Sequence, residues 1–250
     1  MISPKVSVIT VCYNSERTIE DTIKSVVRQS YPHVEYIIID GLSTDGTHNI
    51  IDKYREKISL LISEKDEGIY HAINKGIRIA SGEIISILNS DDMYMDLNVI
   101  RDVVQLFEST RPDAVYADLI YVDKENTDKV LRNWKAGTYR EGMFRKGWMP
   151  PHPTLFVRKD VYNRFGLFDL QFISAADYEI MLRFIHKHKI NIVYLRRTTV
   201  KMRMGGMSNI SFKNRLRANR EDRLAWKING LKPGLLTLFL KPLSKLIQFF

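Results

Sequence analysis

Two adjacent carboxylates follow an apolar run in the first half of the chain. The run EIISILN (83–89) leads into Ser90, Asp91 and Asp92. Two carboxylates at the end of a buried strand are costly in free energy unless a cation or hydrogen bonds compensate them. Hard oxygen ligands in an open loop suit Mg²⁺ or Mn²⁺, which also take ligands from substrate phosphates. The alternative is that one of the two acids caps the helix predicted to follow at residue 98.

These acids belong to a wider pattern of polar residues at predicted strand ends. Apolar, β-branched runs predict strands at 5–12, 34–40, 58–63, 83–89 and 113–122. Helical spacing predicts intervening helices at 16–29, from Ser43 or Thr44 to about 54, at 69–80 and at 98–109. Such alternation favours a mostly parallel sheet covered on both faces, which binds ligands beyond the carboxyl ends of its strands. Asn14, Asp40 and Asp91 all follow predicted strands, so we expect them at one edge.

The pattern changes after about residue 125. Residues 136–153 are rich in Gly, Trp and Pro and are typical of an extended loop, whereas 154–158 predict a short strand and 177–188 a helix. At 250 residues, 44% hydrophobic and 27% charged, the composition is that of a globular protein and excludes disordered, collagenous and coiled-coil classes.

Several functional classes are excluded by missing motifs. The single cysteine, Cys12, excludes a disulfide framework and a cysteine-based zinc site, and it fits a reducing compartment. The chain has no GxGxxG fingerprint, no GxxxxGK[ST] loop and no HExxH motif. We find no apolar stretch of the roughly 18 residues that a spanning helix needs and no secretion signal, so we expect a cytoplasmic protein.

Four segments in the same order carry a family resemblance. They are SVITVCYN (7–14), IIIDGLSTDGT (37–47), SEKDEGIYHAINKGIRIASGEIISILNSDD (63–92) and AADYEIMLRF (175–184). Together they resemble family 2 glycosyltransferases of bacterial exopolysaccharide and lipopolysaccharide biosynthesis, whose loop reads SExDxGIYxAxNKG. The resemblance covers about residues 3–210. It implies the GT-A fold, an α/β fold with a Rossmann-like, mostly parallel sheet and helices on both faces. The implied halves are 1–125 for the nucleotide-sugar and 126–210 for the acceptor.

The resemblance also implies a set of donor-binding residues. For the base and ribose these are Val11, Tyr13, Asn14 and Asp40, with Asp66 as a second candidate for the base. A carboxylate accepts a hydrogen bond from a base imino N–H, which favours uracil or guanine, and thus a UDP- or GDP-linked donor, over cytosine. A turn residue whose side chain bonds its own backbone is the alternative for both acids.

The metal and phosphate positions follow from the same likeness. The DXD motif of the family matches Asn89-Ser90-Asp91, with an amide in place of the first acid. We therefore expect Asp91 to ligate Mn²⁺ or Mg²⁺ with Asp92 as support. Lys75 matches a position near the phosphates, and a solvated helix face is its alternative.

Asp177 resembles the second acid of the family's ED motif, with Ala176 in place of the glutamate. The resemblance implies a catalytic base that deprotonates the acceptor hydroxyl in a one-step inverting transfer. A plain helix cap is the alternative.

The remaining candidates lie on the acceptor or diphosphate side. His152 is one of these candidates, and the alternative is that it is a loop histidine whose hydrogen bonds are satisfied within the protein. The others belong to a late Gly-Gly-x-Ser element, for which a tight turn is the alternative: Arg203, Gly205, Gly206 and Ser208.

Positive charge is concentrated at the C-terminal end. Residues 196–250 carry 13 Lys and Arg against Glu221 and Asp222, whereas residues 1–195 carry 25 basic and 27 acidic side chains. Within the predicted C-terminal helical region, 211–250, residues 231–250 place apolar and basic side chains at helical spacing. This pattern predicts an amphipathic helix, either packed on the domain or lying on the anionic inner face of the plasma membrane.

The sequence thus predicts a metal-dependent transferase that moves a sugar to a glycan acceptor, expected to be lipid-linked. A sugar-nucleotide nucleotidyltransferase is the enzymatic alternative, although CYNSERT lacks the glycine- and basic-rich loop that this class favours. The second alternative is a non-catalytic basic protein that binds membrane or nucleic acid. We find no nucleic-acid-binding motif and expect no such partner.

Overall fold

A computed structural model describes residues 3–205, 212–234 and 237 of the chain. A single nine-stranded sheet forms its centre. The strands are β1 Val6–Cys12, β2 Val34–Asp40, β3 Leu60–Ser63, β4 Ile84–Ile87, β5 Asp92–Tyr94, β6 Ala114–Val122, β7 Val130–Trp134, β8 Phe156–Arg158 and β9 Ile192–Arg203.

The sheet has a parallel half and a mixed half. Its strand order is β3-β2-β1-β4-β8-β6-β9-β5, with β7 paired to β6. The first four strands in this order are parallel to one another, with Cys12 opposite Asp40 and Asp40 opposite Ser63. Strand β8 is antiparallel to both β4 and β6, whereas β9 is parallel to β6. The carboxyl ends of β1 to β4 therefore meet at one edge, as the polar pattern predicts.

Helices cover both faces of this sheet, as expected. One face packs on α1 and α4 and the other on α3, α5 and α6, because alternate residues of each strand point to opposite faces. A π-helical turn, Leu182–Lys187, continues α6. The helices are α1 Ile19–Val27, α2 Thr47–Asp52, α3 Ile69–Ile79, α4 Val99–Thr110, α5 Lys159–Phe165, α6 Ala176–Met181 and α7 Phe212–Ile228.

The predicted start of α2 at Ser43 or Thr44 is wrong. The helix begins at Thr47, with Gly46 in the N-cap position. Ser43 instead donates both its hydroxyl and its backbone N–H to Asp40. Because this serine is held at the end of β2, the chain needs three more residues before the helix can begin.

Strands β5, β7 and β9 were not predicted. Strand β9 is 12 residues long and lies between β6 and β5. Its sequence, IVYLRRTTVKMR, carries many charged residues, so it lacks the apolar signal of the first strands. Strand β5 begins at Asp92, which removes the helix-cap alternative for the acid pair, since α4 begins only at Val99.

The C-terminal helix α7 shares the core of the preceding residues. Its Ala225 and Trp226 are fully buried in the cluster that also contains α3 and α6. The predicted boundary at residue 210 therefore does not separate two cores. Most of the predicted helix at 231–250 lies outside the described residues. Across residues 3–205, 212–234 and 237, no helix has the length and apolar character needed to cross a membrane.

Candidate functional site

Asp177 lies at the centre of a group of polar residues. It is the second residue of α6, and its side chain is 23% exposed. The Tyr70 hydroxyl donates a hydrogen bond to Asp177 Oδ1, and His152 Nδ1 lies 3.4 Å from Asp177 Oδ2. The Asp177 carboxylate, proposed as the catalytic base, is thus partly open to solvent and is contacted on both of its oxygens.

Tyr70 is a site residue that sequence reasoning missed. It is the second residue of α3, and its ring stacks on Phe168 with the ring centres 5.6 Å apart. Burial, together with the neighbouring Asp177 carboxylate, raises the pKa of Tyr70, so its hydroxyl keeps the proton that it donates. The residue stands within the EGIY segment that carries the family resemblance, and this was the available signal.

Asp91 follows β4, at the edge where the parallel strands end. Burial raises the pKa of its carboxyl group, while electrostatic interactions with Arg203 and His152 oppose this change. His152 thus interacts electrostatically with Asp91 and contacts Asp177. A common cleft for the two acids stays a prediction.

Asp92 does not face solvent. Its residue surface is completely enclosed, and neither carboxylate oxygen has a hydrogen-bond partner among the described residues. Burial and the neighbouring Asp91 raise the pKa of Asp92 well above its usual range, which favours the neutral acid. Asp92 therefore offers no exposed oxygen to a cation, and its predicted metal role is wrong for this conformation. Asn89 lies nearby with its own Oδ1 buried and unpaired within the described chain.

Asp40 is enclosed at the end of β2 rather than exposed to a nucleotide. Its carboxylate accepts hydrogen bonds from Ser43, from Ser63 Oγ at 2.7 Å and from His48 Nε2 at 2.8 Å. Burial disfavours its charged form, but these hydrogen bonds outweigh burial and hold the pKa of Asp40 below its usual value. The predicted contact between Asp40 and the nucleotide base is therefore not available in this conformation. Asp40 instead organises the turn after β2, which is the alternative that the sequence left open.

Asn14 and Tyr13 shape the loop after β1. Asn14 has a positive φ of 50° and accepts a hydrogen bond from Thr44 N at 2.8 Å, so it ties this loop to the loop after β2. Tyr13 is 63% exposed at the same edge. Ser15 and Ser90 share a hydrogen bond of 2.9 Å, which links the β1 end to the Asp91 loop. The side chain of Val11 packs in the core, so its predicted base contact cannot come from the side chain.

Asp66 lies in the loop between β3 and α3. Its Oδ1 accepts from His71 Nδ1 at 3.0 Å and from Lys75 Nζ at 2.9 Å. Its Oδ2 is buried and has no partner among the described residues. Lys75 also pairs with Glu64, so it is neither on a solvated helix face nor free for a phosphate in this conformation. Of the two acids predicted to contact the nucleotide base, Asp66 is thus the one with a carboxylate oxygen, Oδ2, that accepts no hydrogen bond from the described residues.

Arg203 supports the Asp91 loop rather than opening to solvent. It is 5% exposed, donates from Nη1 to the Asp91 carbonyl at 3.1 Å and pairs through Nη2 with Asp21. Its Nε donates to the Lys124 carbonyl at 3.3 Å. All three nitrogens are used within the protein, so the predicted diphosphate contact is not formed here. Gly205 is exposed with a φ of 122°, whereas Gly206 and Ser208 lie outside the described residues.

The donor set fits a divalent cation only in a limited way. Within the described ranges, no group of three His, Cys, Asp or Glu side chains could hold a metal. Asn89 Oδ1 is buried like the Asp92 oxygens, so Asp91 alone leaves most of the coordination sphere to other ligands. Mg²⁺ commonly binds through one or two carboxylates plus substrate phosphates. The residues thus fit a cation that is completed by a nucleotide diphosphate.

Comparisons with known proteins agree with this arrangement. Over 94 residues the chain is 45% identical to the putative teichuronic acid biosynthesis glycosyltransferase TuaG of Bacillus subtilis, covering 36% of this chain and 37% of that protein. It is 30% identical over 189 residues to an uncharacterised glycosyltransferase of Mycobacterium tuberculosis, covering 72% and 69%.

Solved structures with a similar fold confirm the expected GT-A fold. Residues 1–349 of S. aureus TarS, crystallised with UDP-GlcNAc, match with a TM-score of 0.68 at 19% identity, over 90% of this chain and 65% of that one. The mannosyltransferase PcManGT of Pyrobaculum calidifontis, in complex with GDP-Man and Mn²⁺, matches with a TM-score of 0.68 at 19% identity, over 96% and 72%. The family model named glycosyl transferase family 2 matches residues 7–164, and the chain therefore belongs to this family.

Proposed function

We propose that this protein transfers a sugar, with inversion, from a nucleotide-diphospho-sugar to a hydroxyl group of a glycan acceptor in surface polysaccharide biosynthesis. The Asp177 carboxylate, partly exposed and contacted by Tyr70 and His152, is the observation that carries this proposal. Such a transfer needs one acid to hold a cation at the departing diphosphate and a separate acid near the incoming hydroxyl.

In the proposed reaction Asp177 accepts the proton of the acceptor hydroxyl. The acceptor oxygen bonds to the anomeric carbon as the bond from that carbon to the diphosphate breaks, and the configuration inverts. Tyr70 and His152 orient the carboxylate through its two oxygens. A bound Mn²⁺ or Mg²⁺, held by Asp91, would neutralise the charge of the departing diphosphate.

The donor base is expected to be one with an imino N–H. Asp66 Oδ2 is a buried acceptor without a partner in the described chain, and its other oxygen is already occupied. An unpaired buried acceptor is costly, so a ligand that donates to it gains affinity. Uracil and guanine have such a donor and cytosine does not. The two neighbours named above were solved with UDP-GlcNAc and GDP-Man, which agrees with this choice.

The acceptor is proposed to be lipid-linked, with the protein bound to the inner face of the plasma membrane. On α7, exposed basic side chains lie on one face of the helix, opposite the buried face that carries Ala225. A basic helix face attracts anionic lipid headgroups. The exposed basic residues are Arg217, Arg220, Arg223 and Lys227.

A donor panel tests the proposal. Thermal unfolding is measured with Mn²⁺ and each of a series of nucleotide sugars that includes UDP-GlcNAc and GDP-mannose. A donor at 100 times its Kd should stabilise the fold by about 2.7 kcal/mol. With the selected donor, Asp177→Asn should abolish transfer while this stabilisation survives. Turnover retained by Asp177→Asn would remove the base from the mechanism, and protection by no donor would contradict the transferase assignment.

A further inference from the structure

Glu221, on the C-terminal helix α7, contacts the backbone directly ahead of the proposed base. The glutamate is 8% exposed. Its Oε2 accepts hydrogen bonds from Ser174 N at 2.8 Å and from Ala175 N at 2.9 Å, and its Oε1 accepts one from Ile173 N at 3.3 Å. A buried carboxylate is stable only when such donors surround it, and hydrogen bonds to a charged acceptor are stronger than neutral ones.

These contacts hold the segment that leads into α6. Ala175 occupies the N-cap position, and Asp177 stands two residues later. The backbone N–H groups of residues 173–175 precede the first turn of the helix, so they need acceptors from outside it. Here the acceptor comes from a residue 46 to 48 positions further along the chain.

Two further contacts, one from α7 and one from Asn229 directly after it, hold the residues after Asp177. Trp226 Nε1 donates to the Tyr178 hydroxyl at 2.8 Å, and Asn229 Nδ2 donates to Glu179 Oε1 at 2.9 Å. The chain is therefore held from α7 immediately before and immediately after the base, whose own side chain turns to Tyr70 and His152.

We propose that Glu221 is a positioning residue for the transfer reaction. By accepting the N–H groups of residues 173–175, it fixes the start of α6 and with it the direction of the Asp177 carboxylate toward the acceptor hydroxyl. This inference rests on the proposed role of Asp177 as the base. A base displaced by about 1 Å can lose on the order of 100-fold in rate while the donor site, on other strands, is unaffected.

Three variants test it: Glu221→Ala, Glu221→Gln and, as a matched control, Asn219→Ala, which changes an exposed residue of the same helix. Turnover is measured with the donor that the panel selects, and donor binding by thermal protection with UDP-GlcNAc and GDP-mannose in Mn²⁺. We expect kcat to fall by about 10- to 100-fold in Glu221→Ala, with donor KM and protection unchanged. The glutamine carbonyl can still accept the N–H groups of Ser174 and Ala175, so Glu221→Gln should recover part of the loss. Asn219→Ala should match the unmodified protein.

An unchanged kcat in Glu221→Ala would overturn the proposal. So would a loss of kcat accompanied by an equal loss of donor binding, because that pattern indicates general destabilisation. If Glu221→Ala does not fold, Glu221→Asp carries the same test, because its side chain is one methylene shorter and should not keep all three hydrogen bonds to residues 173–175; full activity of this variant would overturn the proposal.

The two single variants separate this inference from the proposed function. If Glu221 acts through Asp177, Glu221→Ala keeps donor protection in Mn²⁺ and part of its turnover, whereas Asp177→Asn keeps donor protection and loses turnover completely. Retained turnover in Asp177→Asn alone would instead contradict the base assignment, a result that no outcome at Glu221 can imitate.

Discussion

The Tyr70 hydroxyl donates a hydrogen bond to Asp177 Oδ1 across 107 positions of sequence. The contact joins the start of α3, which connects β3 and β4 of the parallel half of the sheet, to the start of α6 in the second half of the chain. The stacked Phe168 ring restricts where the Tyr70 hydroxyl can lie. The two halves of the site are therefore connected through the proposed base itself.

Removal of the Tyr70 hydroxyl should lower turnover without weakening the binding of the nucleotide-sugar. A hydrogen bond to a charged group contributes about 1.5–3 kcal/mol, so Tyr70→Phe should reduce kcat by roughly 10- to 100-fold if that energy holds the carboxylate in position. Steady-state kinetics with the selected donor would measure it. Tyr54→Phe is the matched control, because Tyr54 donates to Glu20 at the protein surface. Equal kinetics for Tyr70→Phe and Tyr54→Phe would contradict the role of Tyr70.

As the pH falls, cation-dependent nucleotide binding should weaken at a higher pH than it would if the metal-binding carboxylate had its usual pKa. Burial raises the pKa of Asp91, and a proton on this carboxyl group competes with the cation. As the pH falls through the raised pKa, the Mn²⁺-dependent affinity for UDP or GDP should decline. Calorimetric titration at several pH values would follow this decline.

The variant Asp91→Ala should weaken Mn²⁺-dependent binding at every pH and remove this pH dependence. Titration without Mn²⁺ is the control. The same affinity with and without Asp91 would be incompatible with a metal contact from this residue.

Asp92→Asn should stabilise the fold at neutral pH. Burial raises the pKa of Asp92 in the folded state. Below the unfolded-state pKa the acid is neutral in both states and does not lower the free energy of unfolding. As the pH rises through the folded-state pKa, part of the free energy of unfolding is lost. The neutral amide avoids this loss. Above that window we expect a gain of about 1–3 kcal/mol in the free energy of unfolding.

Thermal unfolding of Asp92→Asn and the unmodified protein between acidic and neutral pH measures this effect. The two curves should lie closest at the acidic end and separate as the pH rises. Asp52→Asn, at an exposed position, serves as control. A variant that is less stable than the unmodified protein at neutral pH would indicate that the Asp92 charge has a compensating partner.

Charge reversal on α7 should release the protein from anionic vesicles. Arg220 and Arg223 are exposed, and each basic residue near an anionic surface contributes about 1 kcal/mol. The double variant Arg220→Glu, Arg223→Glu should therefore sediment less with phosphatidylglycerol vesicles. Lys53→Glu, Lys57→Glu is the matched control, and phosphatidylcholine vesicles test for non-electrostatic binding. Equal sedimentation of the two double variants would contradict membrane binding through α7.

Local patterns were sufficient for the parallel half of the sheet. Strands β1, β2 and β4 are nearly continuous apolar runs because both faces of the sheet are covered, and turn residues mark their ends. Parallel pairing then brings the ends of these strands to one edge, so Asp91 could be placed near the site. The charged sequence of β9 carries no comparable signal, since its position between β6 and β5 depends on partners far along the chain.

The sequence by itself determined the family, the order of the first strands and the acids at their ends, because these depend on short-range periodicity and on motif spacing. Only the tertiary structure decided what each acid does. Asp40 and Asp66 are both acids in strand-end loops, yet the serines and His48 enclose one while the other keeps an unpaired oxygen. Ser63 reaches Asp40 only because β2 and β3 pair, and burial depends on how the whole sheet and its helices pack, which no local pattern records.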